Sequence, residues 1–587
     1  MLVFGDAAHS QAADAKLAAI ADRLGETGTS DIRAHAALVA AFIEASELAQ
    51  GVADAEFEAA GRDVDSPARG ATMDLLMELG RLLHRSWHRR FKVGQVRETR
   101  RILARLREMS VPSPIRCKQP EGYAFYAVYP ECYLQAGAAL RRGGSTRVIG
   151  IRSIGVGLSA LVAVAARAPP PVTVRPVGHP FRRHLALGAD LAAQLLVGKP
   201  AQFVVVDEGP GLSGSSFGAV ADFLEQNGVD RQRIHFVPSH AGEPGPQASA
   251  MHRQRWRAAR RHVVDFDALA LRNDTPGRAL TDWVVDVTGP PAAPLEDLSG
   301  GQWRCLRFSR AADWPPAHGF QEHRKFLLRN SSGSWLLKFA GLGRYGEAKL
   351  ARGRALSQAG FTPEVVALRH GFLVERWLEV ARPLDPRAVG RDVLLQHLAS
   401  YLGFRAVHFP VAADRGAAMH VLLSMLERNA TVAFGCKAAQ PVTRLARHGQ
   451  LLDRRIRRVA TDNRMHAWEW LLLPDGRLVK TDALDHSAAH DLIGCQDIAW
   501  DVVGAAVELQ LSRPERDELC GRVARISGQS LDAELLDVLT ACYLAFELGY
   551  YTLAAQALPA GADELARLQT QAARYKASLS AHLQFVA

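Results

Sequence analysis

The chain has 587 residues, of which 48% are hydrophobic and 22% are charged, a balance that is ordinary for a soluble globular protein. The length allows about two to four domains. The net charge of +10 is mild over this length, so it favours anionic ligands such as nucleotides and phosphosugars and permits nucleic acid without requiring it. The seven cysteines are scattered without a Cys-x-x-Cys pair, which argues against a disulfide framework or a structural zinc site and fits a reducing cytoplasm.

The sequence gives no sign of a signal peptide or a membrane segment. The first residues lack a basic segment followed by an apolar run. The most apolar stretch, residues 158–166, is far too short to span a bilayer. We therefore expect a cytoplasmic protein that does not contact a membrane.

Residues 1–115 predict a helical N-terminal region, because several segments carry apolar residues at helical spacing with polar residues between them. The last segment, "RRFKVGQVRETRRILARLREM", adds a heavily basic face, and "HRQRWRAARRH" at residues 252–262 is a second basic helix candidate. A solvated helix surface explains both segments, and a nucleic-acid site is the alternative. We therefore expect no nucleic-acid partner.

Residues 116–290 change in character to short β-branched runs that end in glycine-containing turns and alternate with helix-like segments. Such alternation predicts a doubly wound parallel sheet, and ligands of these sheets bind where strands end in loops at the carboxyl edge. The aromatic run "GYAFYAVYPECYL", residues 122–134, is expected to pack in the core rather than to stack on a base.

The stretch "VVVDEGPGLSGSS", residues 204–216, places two acids at the end of an apolar run, before a loop of Gly, Pro and Ser. The loop and the following helix start offer backbone N–H groups that bind phosphate, and the glycines permit close approach of an anion. Asp207 and Glu208 would repel that phosphate, so they are expected to face the hydroxyls of a ribose or to hold a metal ion. An ordinary β-turn-α connection is the alternative.

This stretch resembles the phosphoribosyl-diphosphate motif of type I phosphoribosyltransferases, in which a hydrophobic strand leads to two acids, a short loop of small residues and Ser/Thr-Gly-x-Ser/Thr. The resemblance implies that the acids bind the ribose hydroxyls and that the serine-containing turn holds the 5′-phosphate. The loop is slightly longer than the family's, so the individual serine roles stay unassigned. The implied phosphoribosyl-binding residues are Asp207, Glu208, Gly209, Ser213, Gly214, Ser215 and Ser216.

A second segment, "VIGIRSIGVGLSA" at residues 148–160, resembles the same family, because an Arg-Ser-Ile-Gly turn follows its strand where the family has its diphosphate-binding loop. The implied diphosphate-loop residues are Arg152, Ser153 and Gly155. Arg182 and Arg183 stand where the family has a mobile loop that closes over the diphosphate, which implies a catalytic role for them. The implied chemistry is displacement at C1 of phosphoribosyl diphosphate, helped by Mg²⁺ and basic groups rather than by a nucleophile.

Residues 302–587 form the third predicted region, after a linker at residues 291–301 in a stretch rich in Pro and Gly. Lys338 lies on a predicted strand within an apolar run, and Glu347 lies early in the next predicted helix. A strand lysine paired with a helix glutamate is the device by which kinases hold the α- and β-phosphates of ATP. The segment "FLVERWL", which contains Glu375, is expected to form the strand and hinge beside the adenine.

Residues 461–506 are similar to the aminoglycoside/choline phosphotransferase-like kinases, which have a protein-kinase-like fold. Those proteins have a catalytic Asp and an Asn, a hairpin, a metal-binding Asp and a later D-x-A-W-D helix. The resemblance gives Asp482 the metal-binding role and makes "QDIAWD" a structural segment. The usual H-x-D-x-x-x-x-N and a Gly-rich phosphate loop are absent, so Asp462 is the catalytic candidate and Glu469 the candidate second metal ligand.

We therefore expect a multidomain α/β and α+β protein with a helical N-terminal region, a phosphoribosyltransferase-like domain at residues 116–290 and a two-lobed kinase-like domain at residues 302–587. The expected function is bifunctional, combining phosphoribosyl transfer with ATP- and Mg²⁺-dependent phosphotransfer to a small molecule that is nucleobase- or nucleoside-like. Two alternatives stay open: a nucleotide-binding regulatory protein with an inactive kinase-like domain, and an RNA-associated factor. The sequence names neither acceptor and leaves a homo-oligomer open.

Overall fold

The computed structural model describes residues 8–198, 200–319, 321–436, 442, 445, 452–488 and 493–585. The described elements of the N-terminal region are β1 (Ala8–Gln11), α1 (Ala13–Gly25), α2 (Ile32–Ala60), α3 (Pro67–His88), α4 (Arg97–Glu108) and β2 (Ile115–Lys118). The side chain of Asp31 caps α2 by accepting the backbone N–H groups of Arg33 and Ala34, and Gly61 ends the helix at a φ of +67°. The prediction of a helical N-terminal region is confirmed.

The central region is built on a parallel sheet. Its described elements are α5 (Glu121–Ala124), α6 (Pro130–Ala139), β3 (Thr146–Ile151), α7 (Gly155–Ala166), β4 (Val172–Val174), β5 (Pro176–His179), β6 (Arg182–Leu185), α8 (Ala189–Leu196), β7 (Gln202–Val206), α9 (Ser215–Gln226), β8 (Ile234–Val237), α10 (Ala250–Ala258), β9 (Arg260–Arg261) and α11 (Leu280–Thr288). The strand order is β4-β3-β7-β8-β9, and every neighbouring pair is parallel. β5 and β6 form a separate antiparallel hairpin.

Alternate residues of the parallel strands pack on opposite sides of the sheet, as the pleat requires. Val148 and Val204 join one core together with α7, whereas Ile149 and Val205 join another together with α9. The sheet is therefore doubly wound, with helices on both faces.

The third region begins with a sheet lobe. Its elements are β10 (Glu296–Asp297), β11 (Lys325–Asn330), β12 (Gly333–Phe339), α12 (Arg344–Gln358), β13 (Val365–Arg369) and β14 (Phe372–Arg376). The five strands form an antiparallel sheet of order β10-β11-β12-β14-β13. Because β10 lies within the predicted linker, that stretch is the edge of this sheet rather than a free connection.

A mostly helical lobe follows the sheet lobe. Its described elements are β15 (Arg382–Pro383), α13 (Arg391–His408), α14 (Met419–Phe434), β16 (Arg458–Val459), β17 (Trp470–Leu472), β18 (Leu478–Lys480), β19 (Gln496–Asp497), α15 (Ala499–Glu508), α16 (Arg513–Ser527), α17 (Ala533–Gln556) and α18 (Asp563–Phe585). Short helical turns occupy Leu140–Gly143, Arg231–Arg233, Asp267–Leu271, Gln302–Leu306, Ala311–Asp313, Asp453–Arg455, Ala467–Glu469 and His486–Ala488. The third region thus has the two lobes that the sequence predicted.

One hydrophobic core runs through all three regions. It includes Leu38 of α2, Leu161 of α7, and Phe339 and Phe372 of the sheet lobe. The helical lobe has its own core. The regions defined from the sequence therefore share their packing, and the domain boundaries stay predictions.

A buried cluster of one carboxylate and two imidazoles also connects the three regions. His35 Nε2 lies 2.6 Å from Glu131 Oε1, and His370 Nε2 lies 3.2 Å from that oxygen. These residues belong to α2, α6 and the turn between β13 and β14, and all three side chains are fully buried. Burial opposes the charge of Glu131, but His370 and His35 hold the pKa of this carboxyl well below its ordinary value. The cluster therefore joins the three regions electrostatically.

Two helices, α2 and α17, are long and apolar enough to cross a membrane by length and composition alone. Within the protein, 94% of the apolar window of α2 and 83% of that of α17 is buried. Their apolar surface is thus covered by the protein's own cores.

Substitution of Glu131 by Gln should destabilise the protein, because it leaves the two buried imidazoles without their carboxylate. We expect the free energy of unfolding to fall by about 3 kcal/mol, measured by urea denaturation at pH 7. Glu98→Gln, on the exposed face of α4, is the matched control and should change it by less than about 0.5 kcal/mol. An equal effect of the two substitutions would contradict the joining role of the cluster.

Candidate functional site

The two loops singled out in the central region meet at one edge of its sheet. One loop follows β3 and the other follows β7, and these strands are neighbours although β4 lies on the other side of β3. The chain therefore changes direction of winding between β3 and β7, and this switch point is where doubly wound sheets bind ligands. A cavity of about 710 Å³ opens here. We call it the central cavity.

The central cavity is rich in carboxylates. Glu121, Asp207, Glu208, Asp265 and Asp267 line it, together with Gly209, Gly211, Ser153 and Arg324. Burial raises the pKa of Asp207 to about 7 and that of Glu208 to about 8; Glu121 and Asp207 reinforce the shift at Glu208. Glu208 accepts the backbone N–H of Gly122 at 3.1 Å. Five carboxyl groups in one cavity favour a cation, which displaces their protons, or a ligand with several hydrogen-bond donors.

The serine-containing turn beside the acids begins α9. Gly214 precedes the helix with a φ of +67°, a conformation that favours glycine. The hydroxyl of Ser215 donates to the carbonyl O of Pro180 at 2.6 Å, and Ser213 Oγ lies 2.9 Å from Ser215 Oγ. Ser213 and Ser215 are buried in these contacts, whereas Ser216 is partly exposed on the first turn of α9. The expected phosphate contacts of the Ser213 and Ser215 hydroxyls are therefore not preformed, since both bind the β5–β6 hairpin.

Arg152, in the loop after β3, does not face the central cavity, although the sequence predicts that it binds diphosphate. Its guanidinium is buried and pairs with Asp54 at 2.8 Å and Asp63 at 2.5 Å, so it points to the N-terminal region instead of the central cavity. Ser153 does line the cavity. A Cβ on Gly155 would lie 2.7 Å from the carbonyl O of Val206, so only glycine lets the two loops approach this closely.

The β5–β6 hairpin carries the two predicted basic residues. Arg182 is exposed, and Arg183 is half-buried. Burial raises the pKa of Asp207, and the charge of Arg183 is among those that oppose this shift. The structure thus brings Arg183 into the electrostatic field of the acid pair and leaves Arg182 in solvent.

A second cavity, of about 190 Å³, lies in the cleft between the sheet lobe and the helical lobe. Lys338 of β12 is buried there and forms ion pairs with both Asp482 and Asp485. Lys349 of α12 also pairs with Asp485, at 2.8 Å. Burial opposes the charges, but Asp482 and Asp485 raise the pKa of Lys338, and Lys338 lowers that of each carboxyl. The predicted lysine and metal-binding acid are thus in direct contact.

The expected pair of Lys338 with Glu347 is not formed. Glu347 is half-buried and pairs instead with Arg23 of α1. The helix residue that reaches the cleft is Lys349, two positions later, and its partner Asp485 was not identified from the sequence. The spacing of Asp482 and Asp485 in "DALD" is the signal that would have indicated a second acid.

Asp462 lies beneath the cleft cavity rather than in its wall. Its side chain is only 1% exposed, accepts a hydrogen bond from Tyr401 and lies 3.5 Å from Lys480 Nζ. Burial opposes its charge, but Lys480 and Arg405 hold the pKa of Asp462 well below its ordinary value. This arrangement does not give Asp462 access to a ligand, which the predicted catalytic role requires.

The loop that carries Asp462 is fixed by Asp501, in the segment predicted to be structural. The Asp501 carboxylate accepts the backbone N–H groups of Asp462 at 2.7 Å and Asn463 at 2.8 Å. The imidazole of His486 donates from Nδ1 to the carbonyl O of Asp462 at 3.0 Å, since that oxygen can only accept. A neutral imidazole with this hydrogen bond carries its lone pair on Nε2, which lies in the cavity wall, 4.0 Å from Asp482 Oδ2.

Glu469 lines the cleft cavity and accepts a hydrogen bond from Lys480 at 2.7 Å. Burial raises its pKa, and Lys480 partly offsets that shift. Glu469, Asp462 and His486 offer ligand atoms within 4.8 Å of one another. The oxygen-rich wall formed by Glu469, Asp482 and Asp485 suits Mg²⁺, which prefers carboxylate and water ligands.

The predicted hinge follows β14, and the cavity wall includes Glu375 of that strand. Burial raises the pKa of Glu375 to about 7, with Lys338 partly opposing the shift. Arg307 stacks on the ring of Trp377 at 3.8 Å and donates to the carbonyl O atoms of Leu378 at 2.8 Å and Ala381 at 3.1 Å. Arg307 thus occupies carbonyl oxygens at the hinge that could otherwise accept hydrogen bonds from a ligand. No pattern in the sequence predicts this contact.

One aromatic side chain lines both cavities. Tyr126 is 40% exposed and forms part of the central cavity and of the cleft cavity, whereas Tyr123, Tyr129 and Tyr133 of the same run are buried, as expected. Beside it, Phe125 packs edge-on against His323 of the sheet lobe with ring centroids 6.2 Å apart.

Two consecutive residues of the sheet lobe complete this wall. Arg324 faces the central cavity and pairs with Asp267 at 2.7 Å, and Lys325 faces the cleft and lies 3.7 Å from Asp482. We call residues 125–126 and 324–325 the partition. The two cavities are thus separated by single side chains.

No family model matches the chain, and no curated protein matches it. Similar solved structures include the choline kinase LicA from Streptococcus pneumoniae, at 13% identity over 43% of this chain and 89% of that chain, with a TM-score of 0.31. A choline/ethanolamine kinase family protein from Mesorhizobium loti gives 16% identity, 45% and 89% coverage and a TM-score of 0.29. The spectinomycin phosphotransferase APH(9)-Ia, in complex with ADP and spectinomycin, is 11% identical over 52% of this chain and 97% of that chain, with a TM-score of 0.34. These structures do not support the predicted phosphoribosyltransferase-like domain, and at these TM-scores we argue function from the chain's own geometry.

The acid pair of the central cavity should make stability depend on pH. Because burial raises the native pKa values of Asp207 and Glu208 above the ordinary 3.8 and 4.5, the native state binds more protons than the unfolded state up to about pH 7 and 8. Their contribution therefore destabilises the protein progressively as the pH rises through this window. We expect the double variant Asp207→Asn/Glu208→Gln to be more stable than the native chain at pH 8.5, by about 2 kcal/mol, in urea denaturation without divalent cations.

At pH 3.5, where both carboxyls are protonated in the native chain and largely protonated in the unfolded chain, the same variant should match the native chain within about 0.5 kcal/mol. Asp190→Asn, in the exposed first turn of α8, controls for the loss of a surface charge and should have no effect at either pH. A variant that is less stable than the native chain at pH 8.5 would contradict the assigned shifts.

Proposed function

We propose that the cleft transfers a phosphoryl group from ATP to a small molecule. The observation that carries this proposal is the buried contact of Lys338 with Asp482 and Asp485 at the junction of a sheet lobe and a helical lobe. A lysine placed in this way neutralises phosphate oxygens, and carboxylates beside it can hold the metal ion of a nucleotide. The sequence resemblance to aminoglycoside/choline phosphotransferase-like kinases supports the same activity.

The charged residues of the cleft have different roles in this transfer. Lys338 holds phosphate oxygens of ATP once its carboxylate partners turn to the metal ion. Asp482, with Asp485 and Glu469 nearby, supplies the oxygen ligands for Mg²⁺. When bound, Mg²⁺ neutralises the charge that develops on the transferred group.

We propose His486 as the base of this reaction. Its Nδ1 is held by the carbonyl O of Asp462, which leaves Nε2 free to take the proton of the acceptor hydroxyl. The bond from that oxygen to the γ-phosphorus then forms as the bond to the leaving ADP oxygen breaks. Asp462 acts through His486 as a positioning residue, because its own carboxylate is enclosed.

A nucleotide-binding regulatory role is the alternative, and specific contacts favour it. Arg307 occupies carbonyl groups of the hinge, and the cavity of about 190 Å³ is small for a nucleotide pocket. In this alternative the cleft binds nucleotide without turnover.

We propose a second function for the central cavity, the binding and transfer of a phosphoribosyl group. The supporting observation is that Asp207 and Glu208 line the central cavity at the switch point of the sheet, together with Ser153. The acids suit ribose hydroxyls and Mg²⁺, and the backbone N–H groups at the start of α9, which follows the loop after the acids, suit the 5′-phosphate. The ligand class is phosphoribosyl diphosphate, with a nucleobase-like acceptor, and the proposed compartment is the cytoplasm.

Lys338→Met should weaken the binding of a non-hydrolysable ATP analogue with Mg²⁺ by at least about tenfold, because it removes the cation that faces the phosphates. Asp482→Asn should abolish ATP consumption. Isothermal titration and an ADP-release assay measure the two effects.

Glu347→Gln is the matched control, outside the cleft wall on α12, and it should leave both measurements unchanged because Glu347 pairs with Arg23. Binding that depends on Lys338 without any ATP consumption would select the regulatory alternative. Binding that does not depend on Lys338 would contradict both readings of the cleft.

Asp207→Asn/Glu208→Gln should weaken the binding of phosphoribosyl diphosphate in the presence of Mg²⁺ by at least about tenfold, because two oxygen ligands for the ribose and the metal ion are replaced by amides. Isothermal titration measures the affinity, and Asp190→Asn is the control that should retain it. If the native chain fails to bind phosphoribosyl diphosphate, or if the double variant binds it equally well, the second function is refuted.

A further inference from the structure

Nearly all the net charge of the protein lies in one short stretch. Residues 81–107 contain ten Arg and Lys residues against one acidic residue, Glu98, a net charge of +9, compared with +10 for the whole chain. All ten are exposed, on the end of α3, the following loop and α4. They are Arg81, Arg85, Arg89, Arg90, Lys92, Arg97, Arg100, Arg101, Arg105 and Arg107. We call this surface the basic face.

The basic face is one-sided because α4 is amphipathic. The buried residues of the helix are Thr99, Ile102, Leu103 and Leu106. At about 100° per residue, its five arginines fall on the opposite side, within an arc of about 160°. Packing of the apolar stripe therefore fixes the arginines towards solvent.

Most of these charges have no partner within the protein. Among the described residues, no ion pair or side-chain hydrogen bond involves six of them. The six are Arg89, Arg90, Lys92, Arg97, Arg100 and Arg107. The positive field extends to His88, beside the basic face. Burial lowers the pKa of His88 most, and the charges of Arg278 and Arg141 lower it further. A concentration of unpaired like charge destabilises the folded chain through self-repulsion, and a polyanion relieves that repulsion.

We propose that the basic face binds the phosphate backbone of a double-stranded nucleic acid without reading its sequence. Nine of the ten cations are arginine, whose planar guanidinium binds phosphate through two hydrogen bonds. Arg97 and Arg105 lie about 12 Å apart along α4, far enough to contact several phosphates at about 3.4 Å of rise each. The proposal is independent of the functions proposed for the two cavities.

The absence of exposed apolar groups selects this partner over two others. Within residues 81–107, all of which the structure describes, no large hydrophobic side chain and no Phe, Tyr or Trp is exposed. Single strands are held by stacking bases on aromatic rings, and membrane surfaces by inserting apolar side chains. The basic face offers only charge, as backbone binding of a duplex requires. The sequence alone favoured a solvated helix for this segment, and the exposure and lack of partners change that interpretation.

Fluorescence anisotropy with the full-length protein and labelled 20-base-pair duplexes of random sequence, one RNA and one DNA, tests the proposal. We expect binding at 50 mM KCl and a slope of log affinity against log salt of about −4, since four or more phosphates are neutralised. Affinity should therefore fall by about 200-fold between 50 and 200 mM KCl. Equal affinity for both duplexes would indicate a DNA-or-RNA backbone site, and a preference for one would name the natural ligand; both outcomes support the proposal.

The triple variant Arg97→Gln/Arg100→Gln/Arg107→Gln removes exposed, unpartnered charges from α4 and should fold like the native chain, which circular dichroism checks. We expect its affinity at 50 mM KCl to fall at least about tenfold and its salt slope to become shallower by about 3. The control Arg62→Gln/Arg428→Gln/Arg525→Gln removes the same charge from exposed positions elsewhere and should bind within twofold of the native chain.

Three outcomes would overturn the proposal. They are no duplex binding at 50 mM KCl, equal loss of affinity in the triple variant and the control, and tighter binding to single strands or to phosphatidylserine vesicles than to either duplex. The last outcome would assign the basic face to another partner.

Discussion

The buried carboxylate of Glu131 is the contact on which the arrangement of the three regions depends. It is shielded from water, so it needs polar partners inside the protein, and the imidazoles of His35 and His370 contact it from the N-terminal helices and the sheet lobe. The chain can satisfy Glu131 only when all three regions are in place. Together with the shared hydrophobic core, these contacts hold the sheet lobe beside the central sheet, where it forms walls of both cavities.

The two cavities solve the problem of anion binding in different ways. In the central cavity the lining is rich in carboxyl groups, so that a cation has to accompany an anionic ligand. In the cleft the donor is the charged side chain of Lys338, which Asp482 and Asp485 already compensate. A ligand of the cleft must therefore bring a cation of its own for these acids, as a metal-bound nucleotide does.

Local patterns in the sequence predicted much of this architecture. The alternation of β-branched runs and helices gave the doubly wound sheet, and the acids after β7 were placed correctly at the switch point because strand ends meet at one edge. The contacts that sequence reasoning missed are ion pairs between residues far apart in the chain. Arg152 was assigned to a ligand and Glu347 to Lys338, but both bind charged residues of the N-terminal helices. Long-range pairs of this kind have no periodicity, so a single sequence gives no signal for them.

The partition makes each cavity depend on residues from both the central region and the sheet lobe. Arg324 and Lys325 belong to the sheet lobe, and Phe125 and Tyr126 to the central region, yet each pair lines cavities on both sides. Neither half of the chain, produced alone, would therefore contain a complete pocket: the central sheet would lose Arg324, and the cleft would open where Phe125 and Tyr126 now close it. Division of the chain between the two halves would therefore leave each cavity open on the side that the other half now closes.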